Sequence, residues 1–204
     1  MNDEENWILQ RLAVSGLKRS LDRISSVCAG TWKLTDSGIF RGTLPAAVRQ
    51  HSFKKPSAAA VYFNVKGEFP FATVMFFDPD DIGHLTRCFM GDSFSLSAHP
   101  GITGEVVFLE LGNMVLNSLT NAVLNVLKRK TVPMLPKYVE GDLQRIVAGL
   151  GSVMDLKQDF RIFKATLAIS RGESSGTCEV FAMIPDELAA ELGRIEEKRQ
   201  EAPF

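Results

Sequence analysis

Apolar residues recur at helical spacing at the start of this chain. Trp7, Ile8, Leu12, Val14, Leu17, Leu21, Ile24 and Val27 predict a helix over residues 5–29, with Gly30 placed to stop it. The period then changes to that of strands, at residues 31–40, 58–65 (AAAVYFNV) and 69–77 (FPFATVMFF). Lys66-Gly67-Glu68 supplies a tight turn between the last two. Asp78 reads as a helix cap and Pro79 as the first position of the helix it caps. A loop over 91–103 leads into a second long helix over 104–130.

The same order then recurs. Residues 131–139 read as extended and 142–150 as a short helix. Residues 159–170 and 177–184 read as a hairpin turning across 171–176, and Pro185-Asp186-Glu187-Leu188 opens a terminal helix whose end, KRQEAPF, is expected to fray. The chain therefore reads helix, strand, strand, strand, helix, twice over. This predicts one α/β (α+β) domain over 1–204, with an antiparallel sheet and two long helices. Its halves, about 1–95 and 96–204, are related by a pseudo-two-fold axis.

The second long helix has unusual polar chemistry. In GEVVFLELGNMVLNSLTNAVLNVLKRK, one stripe carries Glu110, Asn113, Asn117, Asn121 and, slightly to one side, Asn125. At about 100° per residue these fall on one side of the cylinder. A solvent stripe ordinarily uses Lys, Glu, Arg or Gln, because Asn is a poor helix former whose amide competes for backbone groups. Glu110 and Asn113 are adjacent on the helix surface, about 4.5 Å apart along the axis. Asn does not titrate, so the two are no acid/base pair. A carboxamide does offer a donor and an acceptor on one plane, and can hold a water in line with an electrophile without taking its proton. An amide fills that role in GTPases, where a loose phosphoryl-transfer transition state rewards positioning.

Composition narrows the field. Net charge is -1 across 204 residues, which gives no field to draw in nucleic acid or an acidic membrane. The three cysteines, Cys28, Cys88 and Cys178, are far apart and form no CxxC pair, as expected of reduced, packed thiols in a cytoplasmic protein. The acidic start does not resemble a signal peptide. The helix from Gly104 is long enough to span a bilayer, but Glu110 and the asparagines interrupt it, so a buried helix is preferred. His51, His84 and His99 show no metal-ligand spacing, and phosphate loops and GxSxG are missing.

LELGN (Leu109 to Asn113), SLTNA (Ser118 to Ala122) and Pro136 together resemble the CheC/CheX/FliY family of chemotaxis phosphatases. Its motif is Ser or Asp, three residues, Glu, two residues, Asn, twenty-two residues and Pro; Glu110, Asn113 and Pro136 fit that spacing. The resemblance runs through most of the chain. It implies a phosphatase acting on the phospho-aspartate of a CheY-like response regulator, with Asn113 orienting the attacking water and Glu110 contacting the regulator's lysine. It implies no cofactor of the chain's own, the Mg²⁺ being supplied by the regulator. Further partners implied are a CheD-like deamidase or flagellar switch proteins. A homodimer through edge strands is a further arrangement open to the chain.

The chain departs from the family at Val106, where Ser or Asp is usual. Aligned from its Gly30 end, the first helix has Ala13 and Gly16 where two-site members carry a second Glu/Asn pair, so one site is expected. Plainer readings stand beside these. The stripe also fits a solvated helix face, and Asn117 and Asn121 fit partner-facing or helix-to-sheet hydrogen bonders. Pro136 fits a strand end, and Lys128-Arg129-Lys130 fits a cationic helix C-terminus. A non-catalytic binding module and a flagellar structural domain are the competing functions.

Overall fold

The computed structural model describes residues 3–51, 56–91, 104–127, 132–152 and 154–201. The elements run α1 (Asp3–Val27), β1 (Thr31–Gly42), α2 (Leu44–Val48), β2 (Ser57–Lys66), β3 (Phe71–Phe77) and α3 (Ile82–Met90), then α4 (Gly104–Leu127), β4 (Val132–Pro133), β5 (Lys137–Asp142), α5 (Leu143–Gly151), β6 (Phe160–Arg171), β7 (Ser174–Ile184) and α6 (Asp186–Glu201). All pairings are antiparallel, in the order β1-β6-β7-β3-β2-β4, with β5 also on the outer edge of β2. The order is symmetric about the central β3–β7 pair. The outer strand of each half lies against the hairpin of the other half, β1 on β6 and β5 on β2.

Strand periodicity divides the core into two layers. In β2 and β3, Ala59, Val61, Phe63, Phe71, Met75 and Phe77 face one side with α1, α4 and α6. The alternating residues Ala58, Ala60, Tyr62, Ala72, Val74 and Phe76 face the other, with α2 and α5. Because helices cover both faces, every residue of β3 is buried and no polar alternation survives in its sequence. Buried at 1%, Glu179 on β7 meets Lys164 Nζ of β6 at 2.8 Å on the α2/α5 side.

Most expected elements appear, with definite differences. Asp78 accepts from the Asp80 amide at 3.0 Å, and Pro79 opens a 3₁₀ turn that leads into α3. Asp142 caps α5 through the Arg145 amide at 2.9 Å. The last hairpin is tighter than the sequence pattern suggests. Arg171 pairs with Ser174, so Gly172 and Glu173 alone make the turn, and Gly172 takes φ +57°, open to glycine at no steric cost. The extended stretch expected over 131–139 is broken into β4 and β5 at Met134–Pro136, and Pro136 sits in that gap. Helix α2 had no clear periodic signal in its five residues. The terminal helix continues through Glu201, where fraying was expected from Lys198. Residues 92–103 and Lys128-Arg129-Lys130 lie outside the described residues.

Helix α4 is long and apolar enough to cross a membrane by length and composition. Here its apolar side packs on the sheet: Val107, Phe108, Leu111, Val115, Leu119 and Val123 are buried in the same layer as β2 and β3. Gly112 makes that close seat possible. A Cβ on it would stand 2.5 Å from Val61 Cγ1 and 2.6 Å from Val61 Cβ. Below it, Thr120 and Thr73 of β3 share a buried hydroxyl hydrogen bond at 3.3 Å.

Candidate functional site

Seating α4 through Gly112 turns the opposite side of the helix outward. Glu110, Asn121 and Asn125 are exposed, and Asn113 and Asn117 are half-buried. Val106 continues the stripe at 40% exposure, leaving an apolar surface where a hydroxyl or carboxylate is usual in the motif. Asn117 Nδ2 donates to Asn113 Oδ1 at 2.6 Å, a contact four residues apart on one helix face. With that bond made, Asn113 retains its two N–H donors and one lone pair for an outside ligand.

Along its flank α4 packs on α1. Ser118 Oγ donates to the Gly16 carbonyl at 2.9 Å, and Ser20 Oγ donates to the Met114 carbonyl at 3.1 Å. The two bonds are reciprocal and define the register of the helices. Gly16 is needed at the crossing, since a Cβ there would be 2.7 Å from Ala122 Cβ and 3.1 Å from the Ser118 carbonyl oxygen. A cleft of about 490 Å³ opens above the contact. Asn113, Asn117, Asn121 and Asn125 line one wall, and Arg19 and Arg23 line the other. Glu110 stands outside it, on the same face of α4 as Asn113.

The reciprocal bonds correct the alignment of the first helix. Ser20 corresponds to Ser118, so Leu12 and Ser15, rather than Ala13 and Gly16, occupy the positions of Glu110 and Asn113. Ala13 and Gly16 are buried against α4 and point away from the outer stripe. Alignment from the Gly30 end was therefore one residue out of register. Leu12 offers no polar group, and Ser15 offers a hydroxyl in place of an amide.

The structure thus brings Asn113, Asn117 and Asn121 into one cleft and leaves Glu110 projecting beside it. Pro136 is half-exposed at the interrupted sheet edge and does not line the cleft. Sequence reasoning missed Arg19 and Arg23. Their signal was present: Ser15, Arg19 and Arg23 repeat the four-residue spacing of Asn113, Asn117 and Asn121. Among the described residues there is no group of three or more His, Cys, Asp and Glu side chains arranged for a metal.

No family model matches the sequence, and no curated protein matches it. Solved structures do. FliY from Thermotoga maritima is 12% identical, with 98% of this chain and 99% of that one covered at a TM-score of 0.65. The FliM middle domain from H. pylori is 13% identical, covering 96% and 99% at 0.55, and a chain of the FliG–FliM complex from H. pylori is 14% identical, covering 93% and 98% at 0.56. The CheX–CheY–BeF₃–Mg²⁺ complex from Borrelia burgdorferi gives a match at 13% identity, covering 86% and 97% at 0.53. The chain therefore has the fold seen in the FliY and CheX structures.

Proposed function

We propose that this chain is a phosphatase for a response regulator phosphorylated on aspartate. The observation that carries the reading is the placement of Glu110 and Asn113. Both project outward from a helix pinned to the sheet by Gly112, and the Asn113 amide is held by Asn117. Support also comes from the fold, which is like that of a CheX and matches a chain of a CheX–CheY–BeF₃–Mg²⁺ complex.

In the proposed reaction, Asn113 enters the regulator's site and accepts a hydrogen bond from a water, aligning its oxygen with phosphorus. The new P–O bond forms to that water as the P–O bond to the aspartyl carboxylate breaks. Products are inorganic phosphate and the free carboxylate, and the water's proton leaves with phosphate or solvent. Glu110 pairs with the regulator's lysine and fixes the docked orientation. Mg²⁺ is held by the regulator and offsets charge on the phosphoryl oxygens. Asn117 and Asn121 complete the contact surface.

The alternative is a binding module that docks a response regulator, a CheD-like deamidase or a flagellar switch component without hydrolysis. The likeness to the FliM middle domain favours it. Decay of regulators phosphorylated with acetyl phosphate separates the two. Catalysis requires that wild type shorten the lifetime of a regulator and that Asn113→Ala remove about a hundredfold or more of that effect. Binding with decay left at its intrinsic rate selects the module, and normal acceleration by Asn113→Ala overturns the mechanism.

A further inference from the structure

The wall of the cleft facing the amides is cationic. Arg19 and Arg23 are exposed on α1 and line the cleft with Asn113, Asn117, Asn121 and Asn125. In the register set by the two serines they occupy the positions of Asn117 and Asn121. The helices run antiparallel where they touch. Ser20 lies level with Met114, so Arg23, three residues on, comes level with the turn that carries Glu110 and Asn113.

Several other arginines of the chain are held in ion pairs. Arg11 pairs with Glu196, Arg161 with Glu5 and Asp186, Arg194 with Glu191, and Arg199 with Glu196. No described residue pairs with either the Arg19 or the Arg23 guanidinium. Asp22 is about 100° around the helix from Arg23 and does not line the cleft. The lining contains no carboxylate at all. Two guanidinium groups with fixed donor forks, facing a row of carboxamides, make a surface suited to carboxylate or phosphoryl oxygens.

We infer that α1 supplies the anion-recognising wall of the site, with Arg19 and Arg23 engaging the acidic surface that surrounds the partner's phosphorylated aspartate. The identity of that partner rests on the phospho-aspartate reading above. The first helix is then the other half of a single site. Its stripe gives charge where α4 gives positioning, so its substitution should act on docking and leave the chemical step alone. Exposed arginines at a rim steer association and lose that effect as salt rises.

The test titrates each response regulator of the source genome, activated with BeF₃ and Mg²⁺, against wild type, Arg19→Glu/Arg23→Glu, Arg19→Gln/Arg23→Gln and Asn113→Ala, at low and high salt. Circular dichroism checks that each variant is folded. The expected result is at least about tenfold weaker binding for the Glu double variant, a smaller loss for the Gln double variant, and a flattened salt dependence in both. Asn113→Ala keeps the wild-type salt dependence. Unchanged affinity in the Glu double variant overturns the proposal, as does a failure of wild type to bind any of the regulators. If wild type binds without accelerating phosphate loss, the hydrolytic reading fails, while the Glu variant still decides the role of the arginines.

Discussion

Asn117 Nδ2 donates to Asn113 Oδ1 at 2.6 Å, so the amide proposed to meet the water is itself oriented by an amide one turn along. Asn117→Ala frees the Asn113 side chain to rotate without removing any group from the reaction. The expected outcome is a fall of roughly tenfold in the maximal rate of regulator dephosphorylation, with half-saturating regulator concentration little changed. Asn117→Asp cannot donate to Oδ1 and should be at least as impaired. A rate unaffected by either substitution would show that the bond has no part in positioning.

Gly112 and Val61 make the contact that seats α4. Gly112→Ala places a methyl 2.5 Å from Val61 Cγ1, and overpacking of this kind costs about 1–3 kcal/mol. Val61→Gly in the same chain removes both the methyls and the Cβ that would stand 2.6 Å away, so the double variant should be more stable than the sum of the two single losses predicts. Urea denaturation of the four proteins measures that coupling.

Lys164 and Glu179 form an ion pair at 2.8 Å, with the carboxylate side chain only 2% exposed. Lys164 also donates to the Gln50 carbonyl at 2.7 Å. Lys164→Ala should cost about 3 kcal/mol, because a buried charge loses its ammonium. Lys164→Met with Glu179→Gln keeps the volume and removes both charges, and should recover much of the loss. Equal unfolding free energies for these two variants would contradict this account.

Burial pushes the Cys178 thiol well above its ordinary value, and the negative charges of Glu179 and Asp81 add to the shift. As pH rises past about 9, the unfolded thiol loses its proton while the folded one keeps it. The native state then holds more protons, so stability falls with increasing pH. Chemical denaturation of Cys178→Ala across this range should show a correspondingly shallower decline.

The fold was legible wherever a local signal recurred. Asp78-Pro79 announced a helix start through side-chain capping, and the Phe-rich β3 announced a core strand. The amide stripe was legible because asparagine is costly inside a helix. What escaped depended on contacts distant in sequence. The register of α1 on α4 follows from Ser20 and Ser118 bonding to carbonyls on the opposite helix, which no count from Gly30 supplies. Arg19 and Arg23 became part of the site only once that register placed them across from the asparagines. The break at Met134–Pro136 was hidden because both pieces of the edge strand pair with the same neighbour, β2.

The exchange of outer strands limits how the two long helices can diverge. α1 leads directly into β1, which is held along its length by β6, so the first helix cannot leave without uncovering the sheet and one flank of α4. Its inner side is tied to the packing at Gly16 and Ser20. Only the outward stripe remains at liberty to change. A symmetric scaffold built in this way can carry different side chains on its two outward stripes while the packing beneath them stays the same. Leu12, Ser15, Arg19 and Arg23 are the residues of α1 that lie on that stripe.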